Sequence, residues 1–256
     1  MVDLSVIIPT YNEAANIRRT AEAVLAWLRG RELTWELLLV DDGSKDGTLE
    51  VEQEIARREP GARVMPCSPN RGKGFAVRQG MLAAQGAVRL FLDADYSTPL
   101  EEYEKLSPHL DTGFDIAIGT RRGRDALIET KPPFHRHILG EIYVGLAARW
   151  LGSHVSDFNC GFKAFRAEAA ERLFRLQRRN DWSFDAEVLV LAERLGYRTK
   201  EVPVRWAHVQ ETSKVRPLRD GVRSFLALVQ IGWDIRRGRY EGVSKKTKNG
   251  GNTSAI

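Results

Sequence analysis

Two aspartates that follow a short apolar run are the residues of this sequence best suited to chemistry. The run, Val88–Leu92, is typical of a buried strand and is followed at once by Asp93, Ala94 and Asp95. Two carboxylates at the end of a buried strand are costly to desolvate unless a cation neutralises them. Mg²⁺ and Mn²⁺ prefer oxygen ligands, and Mg²⁺ is usually held by one or two carboxylates together with phosphate oxygens. Asp93 and Asp95 are therefore predicted metal ligands, although solvated loop acids can show the same pattern.

Polar segments also follow two other apolar runs in the first half of the chain. One is Pro9–Glu13 (PTYNE), and the other is Asp41–Thr48 (DDGSKDGT). The carboxyl ends of parallel strands meet at one edge of a sheet, where ligands of such folds bind. Tyr11 could pack on a base and Asp41 could accept a hydrogen bond from a base or a ribose, which predicts a nucleotide pocket. A helix cap and an Asx turn would explain the same residues without a ligand.

Cationic residues stand beside glycines at two further places. The loop 70–74 (NRGKG) carries Lys73 just before a predicted helix, and Arg121 follows a later strand. Backbone N–H groups at a helix amino end and guanidinium groups both bind phosphate oxygens. The glycine spacing differs from that of a P-loop. We interpret these residues as phosphate ligands, with solvated surface charge as the alternative.

The elements that must position these residues alternate between apolar runs and helical patterns. This alternation predicts an α/β fold, with a mostly parallel sheet flanked by helices. Strands are predicted at Ser5–Ile8, Leu37–Val40, Arg63–Met65, Val88–Leu92, Phe114–Ile118, Lys163–Phe165 and Arg198–Val202. Helices are predicted at Glu13–Leu28, Asp46–Arg58, Gly74–Ala84, Leu100–Leu110, Phe134–Leu151, Phe184–Leu195 and Leu218–Arg237.

Composition narrows the class of protein. The 256 residues are 43% apolar and 29% charged, which excludes a disordered or fibrous chain. The net charge of +5 resides in residues 236–256, where six Lys and Arg face Glu241 alone. The neutral remainder argues against nucleic-acid binding. Cys67 and Cys160 are far apart in sequence, and neither a signal peptide nor a membrane-spanning run is apparent, which favours a reduced, intracellular protein.

Several motifs together identify a family resemblance. VIIPTYNE, VDDGSKDGT, NRGKG, DADYSTP and IGTR stand in the order and spacing of the family 2 glycosyltransferases over residues 4–122. Three later motifs, SDFNCGFKAFR, EVPVRW and TSKVR, resemble the dolichyl-phosphate or polyprenyl-phosphate glucosyltransferase and mannosyltransferase branch. The CGFK tetrad is more similar to the glucosyltransferases. The resemblance implies a GT-A fold, which is a Rossmann-like nucleotide-sugar-binding domain.

The resemblance also implies a reaction and its ligands. One sugar, with glucose from UDP-glucose favoured, would be transferred with inversion to a polyprenyl phosphate. The cofactor would be Mg²⁺ or Mn²⁺. A phosphate monoester is already largely ionised near neutral pH, so no general base is needed to activate it. Nucleotide contacts are expected at Pro9, Tyr11, Glu13, Asp41, Asp42, Lys73, Asp93 and Ala94, metal contacts at Asp93 and Asp95, catalytic roles at Asp93, Asp95, Arg121 and Lys214, and acceptor-phosphate contacts at Lys214, Arg216 and Arg136.

Alternatives to this function remain open at this point. The donor could be GDP-mannose, or the acceptor could be a polysaccharide or another soluble molecule. A nucleotidyltransferase and a nucleotide-sugar-binding protein without catalysis are further possibilities. In the last motif this chain has Glu211 and Thr212 before Ser213, where the family often has glycine, which leaves the acceptor less defined than the reaction.

We expect four regions along the chain. Residues 1–122 form the half of the domain that binds nucleotide sugar and metal, and residues 123–217 form its acceptor-binding half. Residues 218–240 form an apolar helix at a membrane surface, and residues 241–256 form a basic, disordered tail. The protein would then be peripheral on the cytoplasmic face of a membrane. A helix packed in the core is the alternative for residues 218–240.

Overall fold

The computed structural model describes residues 1–122, 126–127, 134–207 and 217–243, with the side chains of 134–140 and 217–222 left out. Seven strands form one sheet in the order β3-β2-β1-β4-β6-β5-β7, and only β6 runs antiparallel to its neighbours. This architecture confirms the predicted α/β class. The strands are β1 (Leu4–Thr10), β2 (Trp35–Asp41), β3 (Ala62–Pro66), β4 (Val88–Leu92), β5 (Ile116–Thr120), β6 (Phe162–Arg166) and β7 (Thr199–Pro203).

Helices cover both faces of the sheet. Successive residues of a strand point to opposite faces, so Ile7 packs in one core and Val6 and Ile8 in the other. The helices are α1 (Ile17–Arg29), α2 (Thr48–Arg58), α3 (Lys73–Ala83), α4 (Tyr103–Asp111), α5 (Phe134–Leu151), α6 (Ala167–Leu176), α7 (Phe184–Leu195) and α8 (Pro217–Arg236). The first core takes residues from α3, α5, α6, α7 and α8, and the second takes residues from α1, α2 and α4.

Among the differences between the predicted and the observed elements, three concern the start of a helix, the start of a strand and a helix that was not predicted. The first helix begins at Ile17 and not at Glu13, because Glu13 and Asn16 form a turn before it. The fifth strand begins at Ile116, because the Phe114 N–H is hydrogen-bonded to the carbonyl of His109. Helix α6 was not predicted, although its buried residues recur at helical spacing.

Candidate active site

The loops after β1, β2 and β4 meet at one edge of the sheet, as the sequence predicts. The Asn12 N–H donates to Ser44 Oγ at 2.9 Å, and the Lys45 N–H donates to Asn12 Oδ1 at 2.8 Å. Thr20, at the start of α1, donates through Oγ1 to the Ala94 carbonyl at 2.7 Å. These hydrogen bonds join the three loops into one rigid surface.

Asp41 lies at the end of β2 and is almost fully buried. Its carboxylate accepts hydrogen bonds from the N–H groups of Gly43 and Ser44, each at 3.1 Å from Oδ2. Gly43 has a φ of 76°, a conformation that glycine adopts without strain. The Asx turn considered as an alternative is therefore present. The role of Asp41 in nucleotide binding stays a prediction, which this turn accommodates.

The other predicted nucleotide contacts border the same turn. Pro9 is buried within β1, whereas Tyr11 and Glu13 are half-buried in the loop that follows. The Glu13 N–H donates to Thr48 Oγ1 at 2.8 Å. The structure therefore places Tyr11 and Glu13 beside the loop that contains Asp41, and their roles stay predictions.

Asp42 holds the NRGKG loop in place. Its Oδ2 accepts hydrogen bonds from the Gly72 N–H at 2.6 Å and from Asn70 Nδ2 at 2.8 Å, and its Oδ1 accepts one from the Arg71 N–H at 3.0 Å. Burial raises the pKa of the Asp42 carboxyl, although these donors oppose the rise. Asp42 thus holds the loop that carries Lys73 to the start of α3, and its predicted contact with the nucleotide stays a prediction.

Lys73 and Asp93 form an ion pair at the centre of the edge. Lys73 Nζ lies 2.6 Å from Asp93 Oδ1, and the Asp93 side chain remains 32% exposed. Burial alone would lower the pKa of Lys73, but the charges of Asp93 and Asp185 raise it above its usual value. The ammonium group also lies over the ring of Trp182, 4.8 Å from its centroid. Lys73 is therefore a fixed positive charge beside the predicted metal ligands.

Asp95 completes the aspartate pair. Its Oδ1 accepts a hydrogen bond from the Ser97 N–H at 2.9 Å. Burial, and next the charge of Asp93, raise the pKa of the Asp95 carboxyl. A bound cation would stabilise the Asp95 carboxylate, whose ionisation is opposed by burial and by the neighbouring negative charge.

The surroundings of the pair fit a divalent cation. Gly161 approaches Asp93 so closely that a Cβ at this position would overlap the carboxylate. Across the described ranges, no group of three or more His, Cys, Asp and Glu residues is arranged to hold a metal. Two carboxylates are nevertheless the usual protein share of a Mg²⁺ site, where phosphate oxygens and water supply the other ligands. Asp93 and Asp95 therefore fit Mg²⁺ or Mn²⁺ bound together with a phosphate-bearing substrate.

A buried ion pair beneath the site was missed by the sequence analysis. Lys163 Nζ lies 2.5 Å from Asp185 Oδ1, and the two side chains are 1% and 4% exposed. Lys163 also donates to the Cys160 carbonyl. Burial raises the pKa of Asp185, while Lys163 and Lys73 oppose the rise. Two features of the sequence could have indicated this pair. They are Lys163 in the CGFK motif and Asp185, an acidic residue in the first turn of a predicted helix.

Arg121, which was predicted to contact phosphate, is paired with Asp157. Its Nε and Nη2 lie 2.8 and 2.7 Å from the two carboxylate oxygens, and its backbone N–H donates to the same group. Burial would raise the pKa of Asp157, but the charge and hydrogen bonds of Arg121 lower it to about 2. The guanidinium also lies over Trp206, 5.4 Å from the ring centroid. A phosphate ligand would share this guanidinium with Asp157, and the phosphate role of Arg121 stays a prediction.

The side chains of the three predicted acceptor contacts lie outside the described part of the chain. Lys214 and Arg216 lie outside the described residues. Arg136 lies in the first turn of α5, and its side chain is outside the description. Their roles stay predictions.

Comparisons with known proteins agree with this architecture. Residues 5–174 match the profile of Glycosyl transferase family 2. The chain is similar to the dolichyl-phosphate beta-glucosyltransferase of Drosophila melanogaster, with 35% identity over 91% of this chain and 73% of the relative. It is also similar to the Homo sapiens protein of the same name, with 31% identity over 91% of this chain and 73% of the relative.

Solved structures show the same fold. Glucosyl-3-phosphoglycerate synthase from Mycobacterium tuberculosis, in complex with Mn²⁺, UDP and glucosyl-3-phosphoglycerate, superposes with a TM-score of 0.63. The match covers 90% of this chain and 80% of that chain at 21% identity. Mannosyl-3-phosphoglycerate synthase from Rubrobacter xylanophilus superposes with a TM-score of 0.62, at 18% identity over 94% of this chain and 76% of that chain. These neighbours are GT-A glycosyltransferases, and the predicted GT-A fold is thereby confirmed.

Proposed function

Since this chain belongs to glycosyltransferase family 2 and is a glycosyltransferase, we propose that it transfers glucose from UDP-glucose to a dolichyl or other polyprenyl phosphate, with inversion at the sugar. The observation that carries the proposal is the position of Asp93, Asp95 and Lys73 at the edge where three loops converge. Relatives named dolichyl-phosphate beta-glucosyltransferase cover most of the chain and support both the sugar and the acceptor.

The loops after β1 and β2 would bind the nucleoside. Asp41 would accept a hydrogen bond from the base or the ribose, while Pro9, Tyr11 and Glu13 would border the base. The hydrogen bonds between these loops support this role, because a rigid pocket loses little conformational entropy when it binds a ligand. Asp42 would act indirectly by holding the loop that carries Lys73.

The aspartate pair would bind the diphosphate through a metal. Asp93 and Asp95 would hold Mg²⁺ or Mn²⁺, which when bound stabilises negative charge on the departing diphosphate. Ala94 would place its backbone beside the donor, because Thr20 fixes its carbonyl. Lys73 would orient the Asp93 carboxylate and add positive charge near the leaving group. Arg121 would add a guanidinium from the segment that follows β5, with its position fixed by Asp157.

The acceptor phosphate would attack without a general base. Its second ionisation lies near pH 6, so it already carries the lone pair that it uses. Asp157 and Asp185 are the buried acids near the metal ligands in the described part of the chain, and both are ion-paired. This pairing supports a reaction in which neither carboxylate removes a proton. Lys214, Arg216 and Arg136 would hold the acceptor phosphate near the donor.

A membrane surface would bring the lipid acceptor to the site. One face of α8 is buried through Leu228, Ile231 and Ile235, so the core alternative holds for that face. On the opposite face Leu226, Val229 and Trp233 are 56%, 44% and 50% exposed. Exposed apolar residues at helical spacing next to arginines are typical of helices that lie at a membrane surface.

The segments that the structure describes include no helix long and apolar enough to span a bilayer. We therefore propose peripheral attachment through the exposed face of α8. Cys67 and Cys160 are both free thiols, which supports the cytoplasmic side of a membrane.

The decisive experiment is a matrix of labelled nucleotide sugars against short polyprenyl phosphates, with and without Mn²⁺. UDP-glucose with Mn²⁺ should give radiolabel in the organic phase after lipid extraction and release UDP. A product from GDP-mannose alone, or transfer only to a soluble saccharide, would overturn the proposal. Release of free pyrophosphate would instead identify a nucleotidyltransferase.

A further inference from the structure

Four arginines line a cleft that includes neither aspartate of the pair. The cleft, of about 480 Å³, lies between the segment that joins α6 to α7 and the last turns of α8. We name it the arginine cleft. It is lined by Arg178, Arg179, Gln230, Trp233, Asp234, Arg237 and Arg239.

The arginine cleft has a large surplus of positive charge. Asp234 is the single carboxylate in its lining, and its oxygens lie 3.3 Å from Arg179 Nη2 and 2.8 Å from Arg239 Nη1. Among the described residues, Arg178 and Arg237 have no carboxylate within ion-pair distance. Guanidinium groups held this close repel one another, so an anion with several oxygens would stabilise the cluster.

An exposed apolar stripe leads to the arginine cleft. The stripe consists of Leu226, Val229 and Trp233, and Trp233 also lines the cleft. The Arg237 guanidinium lies over the Trp233 ring, 5.2 Å from its centroid. Tryptophan is enriched at membrane interfaces, where its ring lies among the lipid headgroups. An anion site joined to an apolar stripe matches a molecule with a charged head and an apolar tail.

We propose that the arginine cleft binds the phosphate group of an anionic lipid in the bilayer, while the apolar stripe enters the membrane interface. The proposal deepens the peripheral attachment proposed above and rests on it. The lining of the cleft includes none of the predicted donor, metal or acceptor contacts. The same connecting segment contains Trp182, whose ring centroid lies 4.8 Å from Lys73 Nζ, so lipid binding would also fix the orientation of the site toward the membrane.

The test is flotation of the full chain with vesicles of phosphatidylglycerol and phosphatidylcholine in equal parts. The double variant Arg178→Gln/Arg237→Gln should bind these vesicles about tenfold or more weakly than the wild type, since each arginine near an anionic surface contributes about 1 kcal/mol. Trp233→Ala should weaken binding as well. With vesicles of phosphatidylcholine alone, the wild type and the double variant should bind equally weakly.

The matched control is Arg57→Gln/Arg58→Gln, which removes the same charge from the exposed end of α2. It should change vesicle binding less than about twofold, because charges outside the contact surface are screened over roughly 10 Å. Equal loss in this control, or unchanged flotation of the cleft variant, would overturn the proposal. So would displacement of the protein from vesicles by inorganic phosphate at matched ionic strength, which would identify a soluble phosphate ligand.

A second measurement separates the cleft from catalysis. With a short polyprenyl phosphate in detergent micelles, Arg178→Gln/Arg237→Gln should keep the wild-type kcat and KM. Loss of this activity would assign the cleft to the acceptor and overturn the lipid proposal. If the wild type binds anionic vesicles through the cleft but transfers no glucose, the proposed reaction fails while the lipid site stands.

Discussion

The two halves of the sheet edge hold their carboxylates in different ways. In the half formed by the loops after β1 and β2, Asp41 and Asp42 are held mainly by backbone N–H groups. In the half formed around β4, β5 and β6, Asp93, Asp157 and Asp185 are each paired with a lysine or an arginine. The first arrangement fixes the orientation of the carboxylates, and the second balances their negative charge.

This difference matches the two parts of the proposed nucleotide-sugar donor. A nucleoside is uncharged and is selected by hydrogen bonds of fixed direction, which a carboxylate held by backbone groups can provide. A diphosphate with its metal brings several charges into the site, and a set of balanced ion pairs tolerates their arrival and departure. Another buried acid of the first half, Glu52, has a hydroxyl partner in Thr10 and no cation within ion-pair distance among the described residues.

The largest effect is expected where a charge near the diphosphate is removed. Asp95→Asn should lower glucosyl transfer by about 10³-fold or more, because the amide is a poor ligand for a divalent cation. Circular dichroism and the unfolding midpoint should stay close to wild type. In the half formed by the loops after β1 and β2, Asp41→Asn keeps one acceptor oxygen. We expect glucosyl transfer to fall about tenfold, mainly through a higher KM for the donor. Wild-type turnover in Asp95→Asn would contradict the metal role.

The buried Lys163–Asp185 pair should contribute more to the free energy of unfolding than an exposed ion pair does. Lys163→Met removes the nearer cation from Asp185 and should lower the free energy of unfolding by about 3–5 kcal/mol. Urea denaturation followed by fluorescence measures this change. Arg31→Met removes the cation of a pair with Glu104, whose two side chains are 41% and 56% exposed, and should cost less than about 1 kcal/mol. The double variant Lys163→Met/Asp185→Leu should recover much of the loss, and no recovery would show that packing rather than charge decides stability at this site.

The variant Gly161→Ala tests whether the position of the Asp93 carboxylate matters for metal binding. Gly161→Ala places a methyl group where the Asp93 carboxylate lies and should shift it away from the metal site. We expect a rise of about tenfold or more in the Mn²⁺ concentration that gives half-maximal activity, since displacement by about 1 Å costs around 10²-fold in rate. Gly145→Ala on α5 meets no atom within 4 Å and should leave the Mn²⁺ dependence unchanged. If both variants needed the same Mn²⁺ concentration for half-maximal activity, Gly161 would have no role in the metal site.

The smallest effect on activity, and a distinct pH signature, is expected at Glu52. Burial raises the pKa of this carboxyl to about 8, although its hydrogen bond from Thr10 opposes the rise, and Asp41 and Asp46 add repulsion. The native state therefore binds more protons than the unfolded state between roughly pH 4.5 and 8, so stability falls as pH rises through this range.

Glu52→Gln removes that titration. Relative to wild type, it should gain unfolding free energy from about pH 5 upward and reach a constant advantage of a few kcal/mol above pH 8, at about 1.4 kcal/mol for each unit of pKa shift. Urea unfolding of both proteins at three pH values measures the difference. A difference that does not vary with pH would show that Glu52 is not the titrating group.

Elements in both halves of the chain were predicted with their observed bounds, one in residues 1–122 and two in residues 123–217. Strand β4 and helices α5 and α7 were predicted with the observed bounds, because long apolar patterns with clear ends determine such elements locally. The antiparallel direction of β6 was not predicted, since strand direction depends on which neighbours a strand finds. For α8, the sequence left open whether the helix packs in the core or lies at a membrane surface. The structure shows that one face of this helix is buried and the other is exposed.

The sequence by itself determined the family, most of the helices and strands, and the convergence of three polar loops, because these depend on local residue patterns and on the geometry of parallel strands. Only the tertiary structure decided which charges meet. Lys73 and Asp93 are 20 positions apart, and Lys163 and Asp185 are 22 apart, yet both pairs form because the sheet and its helices bring them within ion-pair distance. The arginine cleft was likewise decided by packing, because its residues come from two segments about 50 positions apart that join only when α8 docks against the domain.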